Sequence, residues 1–227
     1  MNLNADLGEG AGDDETILVH VDSASIACGV HAGSASLAIA TVARCTARGV
    51  EVGAHPGYDD RASFGRADLP LSVGEIHALV AFQIAGLAAI APIAYIKAHG
   101  ALYHRCESDP GAAEALARVA VAHGIGLVGQ PGHETLAAAG RAGIPAYREA
   151  FADRRILADG SLAPRTQAGA VLDPEQAAQQ AVRLARSGLY DAICIHGDTP
   201  QAGRMAAAVR EALRSAGIET APLVASP

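Results

Sequence analysis

The chain has 227 residues, enough for one domain with a substantial core. Half are hydrophobic, but there is no Trp and aromatics make up only 4%, so Ala, Val, Ile and Leu must do the packing. A net charge of −7 excludes a broad nucleic-acid-binding or anionic-membrane surface.

In chain order, Met1 to Leu7 alternates apolar and polar residues as a strand would; Asp6-Leu7-Gly8-Glu9-Gly10 ends it, and Gly10 to Glu15 is an acidic, glycine-rich loop. Asp14 caps a short helix to Val19. A second strand, Ser25 to Cys28, ends at His31, and Ser34 caps a helix to about Arg48 that Gly49 stops. Val50 to Ala54 is the third strand, ending in His55-Pro56-Gly57-Tyr58-Asp59. Ser72 and Glu75 have capping-box spacing and open a helix to about Ile90. Ile93 to Ile96 is the fourth strand, ending in Lys97-Ala98-His99-Gly100, and Asp109-Pro110 opens a helix to about His123.

Gly126 to Gly129 is the fifth strand and Pro131 to Ala142 a helix. Ala146 to Arg148 is the sixth strand, followed by Glu149, Asp153 and Arg154 and a long loop carrying Asp159-Gly160 and Arg165. Asp173-Pro174 caps a helix to about Ser187. Ala192 to Ile195 is the seventh strand; His196-Gly197-Asp198 ends it, with Thr199 as the N-cap and Pro200 as the first residue of the last helix. Glu219 to Val224 is a candidate eighth strand.

Strands alternating with helices predict an α/β fold with a parallel sheet. Seven or eight such units in one chain, residues 1–227, predict a closed or nearly closed parallel β/α barrel as a single domain; a doubly wound open sheet is the alternative.

The two kinds of turn differ in chemistry. Helix-to-strand turns are bare: Arg48-Gly49, Ala91-Pro92, His123-Gly124, Ala142-Gly143. Strand-to-helix turns carry Asp6 and Glu9, His31, His55, Lys97 and His99, Glu149 with Asp153 and Arg154, and His196 with Asp198. In a parallel barrel every strand C-terminus lies on one face, and that face holds the active site.

His31, His55, His99 and His196 are the strongest group. Two readings compete for them: general acid–base chemistry on an amide, or ligation of a divalent metal, with Asp6, His55 and His196 as the candidate ligand set. Glu9 joins Asp6 as a carboxylate pair in a glycine-flanked loop. Lys97 follows an apolar strand and reads as an anion clamp or a base of lowered pKa; Arg154 and Arg165 invite bidentate recognition of carboxylate or phosphate.

Gly124 to Gly129 spells G-x-G-x-x-G, but it precedes a strand instead of opening a helix, so it is not a dinucleotide fingerprint. No P-loop occurs. The four cysteines have no C-x-x-C spacing and read as reduced, buried thiols; Met1 leads straight into a strand with no signal-peptide pattern. The most apolar stretch, Ile76 to Ile96, is broken by His77, Gln83 and Pro92. A cytoplasmic chain without a membrane span is expected.

Asn4-Ala5-Asp6-Leu7-Gly8-Glu9, Ala27-Cys28-Gly29-Val30-His31-Ala32-Gly33, Val52-Gly53-Ala54-His55-Pro56-Gly57-Tyr58, Phe64-Gly65-Arg66, Lys97-Ala98-His99-Gly100, Arg148-Glu149-Ala150-Phe151-Ala152-Asp153-Arg154 and His196-Gly197-Asp198-Thr199-Pro200 follow one another in an order that resembles the LamB/YcsF family. The chain departs from that family's usual pattern in a shorter loop after Glu9, in Ala98 for Pro, and in His104 for Asn.

The resemblance implies a barrel similar to those of glycoside hydrolases and polysaccharide deacetylases. It also implies opening of 5-oxoproline to L-glutamate with ATP hydrolysis, Mg accompanying the nucleotide, in an assembly with separate B and C subunits of 5-oxoprolinase. On that reading Asp6, His31, His55, Lys97, His99, Glu149, His196 and Asp198 are the catalytic candidates, and Glu9, Asp153, Arg154 and Arg165 bind substrate or phosphate. A homo-oligomer is compatible with it. The rivals are a metal-dependent deacetylase of an N-acetyl sugar or similar amide, and a non-catalytic substrate-binding subunit.

Overall fold

The computed structural model describes residues 1–12, 14–157 and 161–224. Asp13 and Asp159-Gly160 lie outside them. Strands β1 (Asn2–Leu7), β2 (Ser23–Ala27), β3 (Glu51–His55), β4 (Tyr95–Ile96), β5 (Gly126–Gly129), β6 (Ala146–Phe151) and β7 (Ala192–His196) form a closed barrel in sequence order. Every neighbouring pair is parallel, including the closing pair β1–β7. Around it lie α1 (Asp14–Leu18), α2 (Ala35–Arg48), α3 (Val73–Ala88), α4 (Gly100–Ser108), α5 (Pro110–His123), α6 (Glu134–Ala142), α7 (Pro174–Arg186) and α8 (Ala202–Ser215). The doubly wound alternative is excluded by closure. Among the described residues no helix is long and apolar enough to cross a membrane.

The sequence pattern of β1 explains the barrel's two faces. Side chains alternate across a strand. Asn4 donates to Asn2, and Ser23 of β2 donates to the same Asn2 oxygen, so this face of β1 is joined by hydrogen bonds. The intervening Leu3, Ala5 and Leu7 belong to the apolar core. Tyr95 stands against Ser25, their hydroxyls 3.3 Å apart. Gly53 makes room for its ring: a Cβ there would lie 2.2 Å from Cε2 of Tyr95. Asp6 continues the polar row of β1 to the C-terminal rim, in register with Ser25 and His196.

Helix ends follow their local chemistry. Ser34, Ser72, Asp109 and Asp173 cap α2, α3, α5 and α7 through their side chains, with reciprocal capping boxes at Ser72/Glu75 and Asp173/Gln176. Four expectations change. Helix α4 is an extra helix between His99 and Asp109; it has no side-chain N-cap to announce it. Strand β6 runs on to Phe151, so Glu149 sits in the barrel wall and not in a loop. Thr199 does not cap α8: its hydroxyl donates to Asp153 at 2.6 Å, and α8 begins after Gln201, whose φ is 61°. Glu219–Val224 forms no strand; Ala221 N–H donates to Met1 O at 2.9 Å, and seven strands suffice to close the barrel.

Candidate active site

The strand C-termini surround a cavity of about 400 Å³, a volume suited to a small metabolite. Asp6, His55, Lys97, His99 and His196 line it, and Arg66, Arg154 and Arg165 stand around them. On the opposite face Gly49, Gly124 and Gly143 end helices in the left-handed conformation.

A buried ion cluster joins four strands at the barrel's C-terminal side. Lys97, just beyond β4, reaches Asp6 of β1 at 2.8 Å, Glu149 of β6 at 3.2 Å and the Cys194 sulfur of β7 at 2.9 Å. Burial alone would lower the Lys97 pKa, but Asp6, Cys194 and Glu149 push it well above its ordinary value. The expectation of a lysine base of lowered pKa is therefore overturned. Burial works to raise the Asp6 carboxyl, but His55 and Lys97 hold it well below the usual range, so Asp6 is ionised. Burial raises Glu149 despite Lys97. Glu149 is fully buried and acts on the pocket through Lys97.

Three histidines from neighbouring strand ends pack beside that cluster. His55 Nδ1 lies 2.8 Å from the Lys97 carbonyl, and His99 Nε2 lies 2.8 Å from the Phe64 carbonyl. A carbonyl only accepts, so each of these nitrogens carries the ring proton. The remaining nitrogens, His55 Nε2 and His99 Nδ1, face each other at 3.0 Å. Glu9 Oε1 is 3.3 Å from His99 Nδ1, 3.9 Å from His55 Nε2 and 3.5 Å from His31 Nε2.

His31 stacks on His99, with ring centroids 4.0 Å apart. Glycines admit these rings: a Cβ on Gly57 would meet His31 Nδ1 at 2.5 Å, and one on Gly65 would meet His31 Cβ at 2.8 Å. Burial lowers the pKa of His31 to about 3 and of His55 to about 4, and lowers that of His99 as well. Burial and the Asp6 charge raise Glu9.

His196 at the end of β7 is built differently. Its Nδ1 is 3.0 Å from both oxygens of Asp153, which also accepts from Thr199. The carboxylate fixes the Nδ1–H tautomer and leaves Nε2 as the ring's proton-exchanging nitrogen. Burial would raise Asp153, but His196 outweighs it and keeps the carboxyl low. The imidazole stacks on Phe151, at 5.1 Å between centroids. Asp153, expected to bind substrate or phosphate, is here occupied in orienting a histidine.

Asp198 is likewise not a free catalytic carboxylate. It holds Arg66 at 2.5 Å and Arg165 at 3.3 Å, and those arginines outweigh burial and lower its pKa. Arg154 donates to the Ala163 carbonyl at 2.6 Å while its buried Nε has no partner. The trio Asp6, His55 and His196 is not the group whose ligand atoms converge: among the described residues that group is Glu9, His55 and His99. Arg66, Tyr103, His104 and Phe151 also line the cavity, although the residue pattern alone does not single them out as site residues. The Phe64-Gly65-Arg66 loop is the available signal for the first.

Cys28 lies close to His31 in sequence, but burial pushes its thiol up to about 12, which removes it as a nucleophile. All four cysteines are free thiols.

Fold and site together define a β/α-barrel protein whose strand ends hold a histidine- and carboxylate-rich pocket bordered by arginines. Residues 1–226 match the LamB/YcsF family, and the chain belongs to that family. It is 44% identical to a Streptomyces coelicolor protein named as the A subunit of 5-oxoprolinase, over 96% of this chain and 97% of that one. The crystal structure of a lactam utilization protein from Thermus thermophilus superimposes with a TM-score of 0.90 at 39% identity, covering 97% of this chain and 98% of that one. A family 4 carbohydrate esterase from Streptomyces lividans shares the fold at a TM-score of 0.56 and 13% identity, covering 97% of this chain and 90% of the esterase.

Proposed function

We propose that this chain is the A subunit of a cytoplasmic, ATP-dependent 5-oxoprolinase that opens 5-oxoproline to L-glutamate together with separate B and C subunits. The observation that carries the reading is the end-to-end similarity to relatives of that name. The pocket supplies residues suited to the chemistry.

A five-membered lactam is a stable amide, and coupling to MgATP makes its opening favourable. Transfer of the γ-phosphoryl group to the lactam oxygen activates the ring carbon. Water then adds, the C–N bond breaks as the nitrogen takes a proton, and a second water releases phosphate from the acyl phosphate. The sum is glutamate, ADP and phosphate from 5-oxoproline, ATP and two waters.

His196, oriented by Asp153, is the proton-transfer group: Nε2 takes the proton of the attacking water and returns it to the departing nitrogen. Lys97 places a fixed positive charge at the pocket floor, held there by Asp6 and Glu149. Arg66 and Arg165, aligned by Asp198, take the substrate carboxylate or the transferred phosphoryl group.

Reconstitution tests the assignment. Glutamate release is measured from 5-oxoproline with this chain, with the B and C subunits, and with all three, each with and without ATP. ATP-dependent release only in the full mixture is expected; no release in any mixture overturns the assignment.

A further inference from the structure

Glu9, His55 and His99 bring three potential metal-ligand atoms together at one buried gap. Both outward-facing imidazole nitrogens donate to backbone carbonyls, at 2.8 Å each. The inward pair, His55 Nε2 and His99 Nδ1, therefore direct lone pairs at one another across 3.0 Å. The third atom facing that gap, Glu9 Oε1, is a buried carboxyl oxygen with no hydrogen-bond partner, on a side chain 5% exposed. Three potential ligand atoms converge there, and His31 Nε2 lies 3.5 Å from Glu9 Oε1 on the other side. An unmet buried acceptor calls for an explanation, an ion among them.

The geometry matches one filler closely. A first-row divalent cation takes imidazole nitrogen and carboxylate oxygen at roughly 2.0–2.2 Å in a tetrahedron, which sets the ligand atoms about 3.3 Å apart. The three separations here are 3.0, 3.3 and 3.9 Å. Imidazole ligands of a metal ordinarily donate their other N–H to a carbonyl or carboxylate, which fixes the ring, and both rings do so here. His55 and His99 line the cavity, so a fourth coordination position faces the substrate space.

We propose that Glu9 Oε1, His55 Nε2 and His99 Nδ1 form a binding site for one divalent transition-metal ion of the zinc, cobalt or manganese kind. Two nitrogens and one carboxylate oxygen suit these ions better than calcium or magnesium, which prefer all-oxygen shells. Asp6 lies 3.5 Å from His55 Nε2 but stays with Lys97, and His196 stays with Asp153, so neither belongs to the set. The site stands on the positions of these side chains and is independent of the 5-oxoproline reading.

The test uses the full chain alone, stripped with a chelator and titrated with Co(II), without substrate or partner subunits. One Co(II) per chain is expected, with visible d–d absorption bands that zinc abolishes by displacement. His99→Ala and Glu9→Gln are each expected to weaken binding by about 10²-fold. His133→Ala, at an exposed histidine that does not line the cavity, is expected to bind as the unaltered chain does. Circular dichroism confirms that each variant is folded, and should His99→Ala fail to fold, Glu9→Gln carries the test. Substoichiometric cobalt, or affinity unchanged in the folded cluster variants, overturns the proposal. A proton shared between the rings gives that negative result.

Discussion

The Lys97 cluster and the Glu9 cluster adjoin at Asp6, yet they are built in opposite ways. In the first, the ammonium sits between two carboxylates at 2.8 and 3.2 Å, and opposite charges answer one another. In the second, two imidazole nitrogens and a Glu9 carboxyl oxygen face a common gap, and no opposite charge answers the carboxyl there. Buried charges that are paired hold a structure in place, and removing one partner is costly. Buried acceptors left unmet cost stability, and they persist where the function uses them. The difference separates the part of the pocket whose charges are paired from the part we propose as a metal site.

Breaking each cluster should therefore have unequal effects. Lys97→Met strands the buried carboxylates of Asp6 and Glu149 and should lower unfolding stability by about 3–5 kcal/mol, read from urea denaturation. Glu9→Gln in metal-free protein should remain within about 1 kcal/mol of the unaltered chain, because burial and the Asp6 charge already disfavour a charged Glu9 and Gln keeps its shape. Equal losses would erase the contrast. Asp153→Asn leaves both clusters intact but removes the orientation of His196; kcat in the reconstituted assembly should fall about 10²–10⁴-fold with the melting temperature little changed.

At the pocket's edge, Arg165→Ala should raise KM for 5-oxoproline about tenfold with a smaller change in kcat, since Asp198 still holds Arg66. The smallest effect lies outside the pocket. Burial raises the Glu107 carboxyl to about 7. Between its ordinary pKa and that value the native chain binds a proton that the unfolded chain does not, so stability falls as pH rises through this window. Glu107→Gln should gain on the order of 1 kcal/mol at about pH 8 and nothing at about pH 4. A pH-independent difference would contradict that origin.

Much of this is legible in the residues. The barrel follows from strands and capped helices in alternation, and the site's location follows from plain turns on one face and titratable turns on the other. Strand-end position does not reveal the direction of each side chain. Asp153 and Asp198 both follow strand ends, yet one orients a histidine and the other holds two arginines. Lys97 reads as a candidate base because its partners lie on β1, β6 and β7, far away in sequence. Glu9 and His99 do not read as a ligand pair, because their meeting depends on the loop carrying Phe64, whose carbonyl fixes the His99 tautomer. Thr199-Pro200 matches a helix start, but the buried Asp153 carboxylate takes the threonine hydroxyl and delays α8.

The most direct test of the account is kcat of the reconstituted assembly at saturating 5-oxoproline and ATP with His196→Ala in this chain. A fall of about 10²-fold or more, with the assembly intact, is predicted for a proton-transfer group at these strand ends. An unchanged kcat with only KM raised would contradict it and make this barrel a substrate-binding component whose chemistry is performed elsewhere.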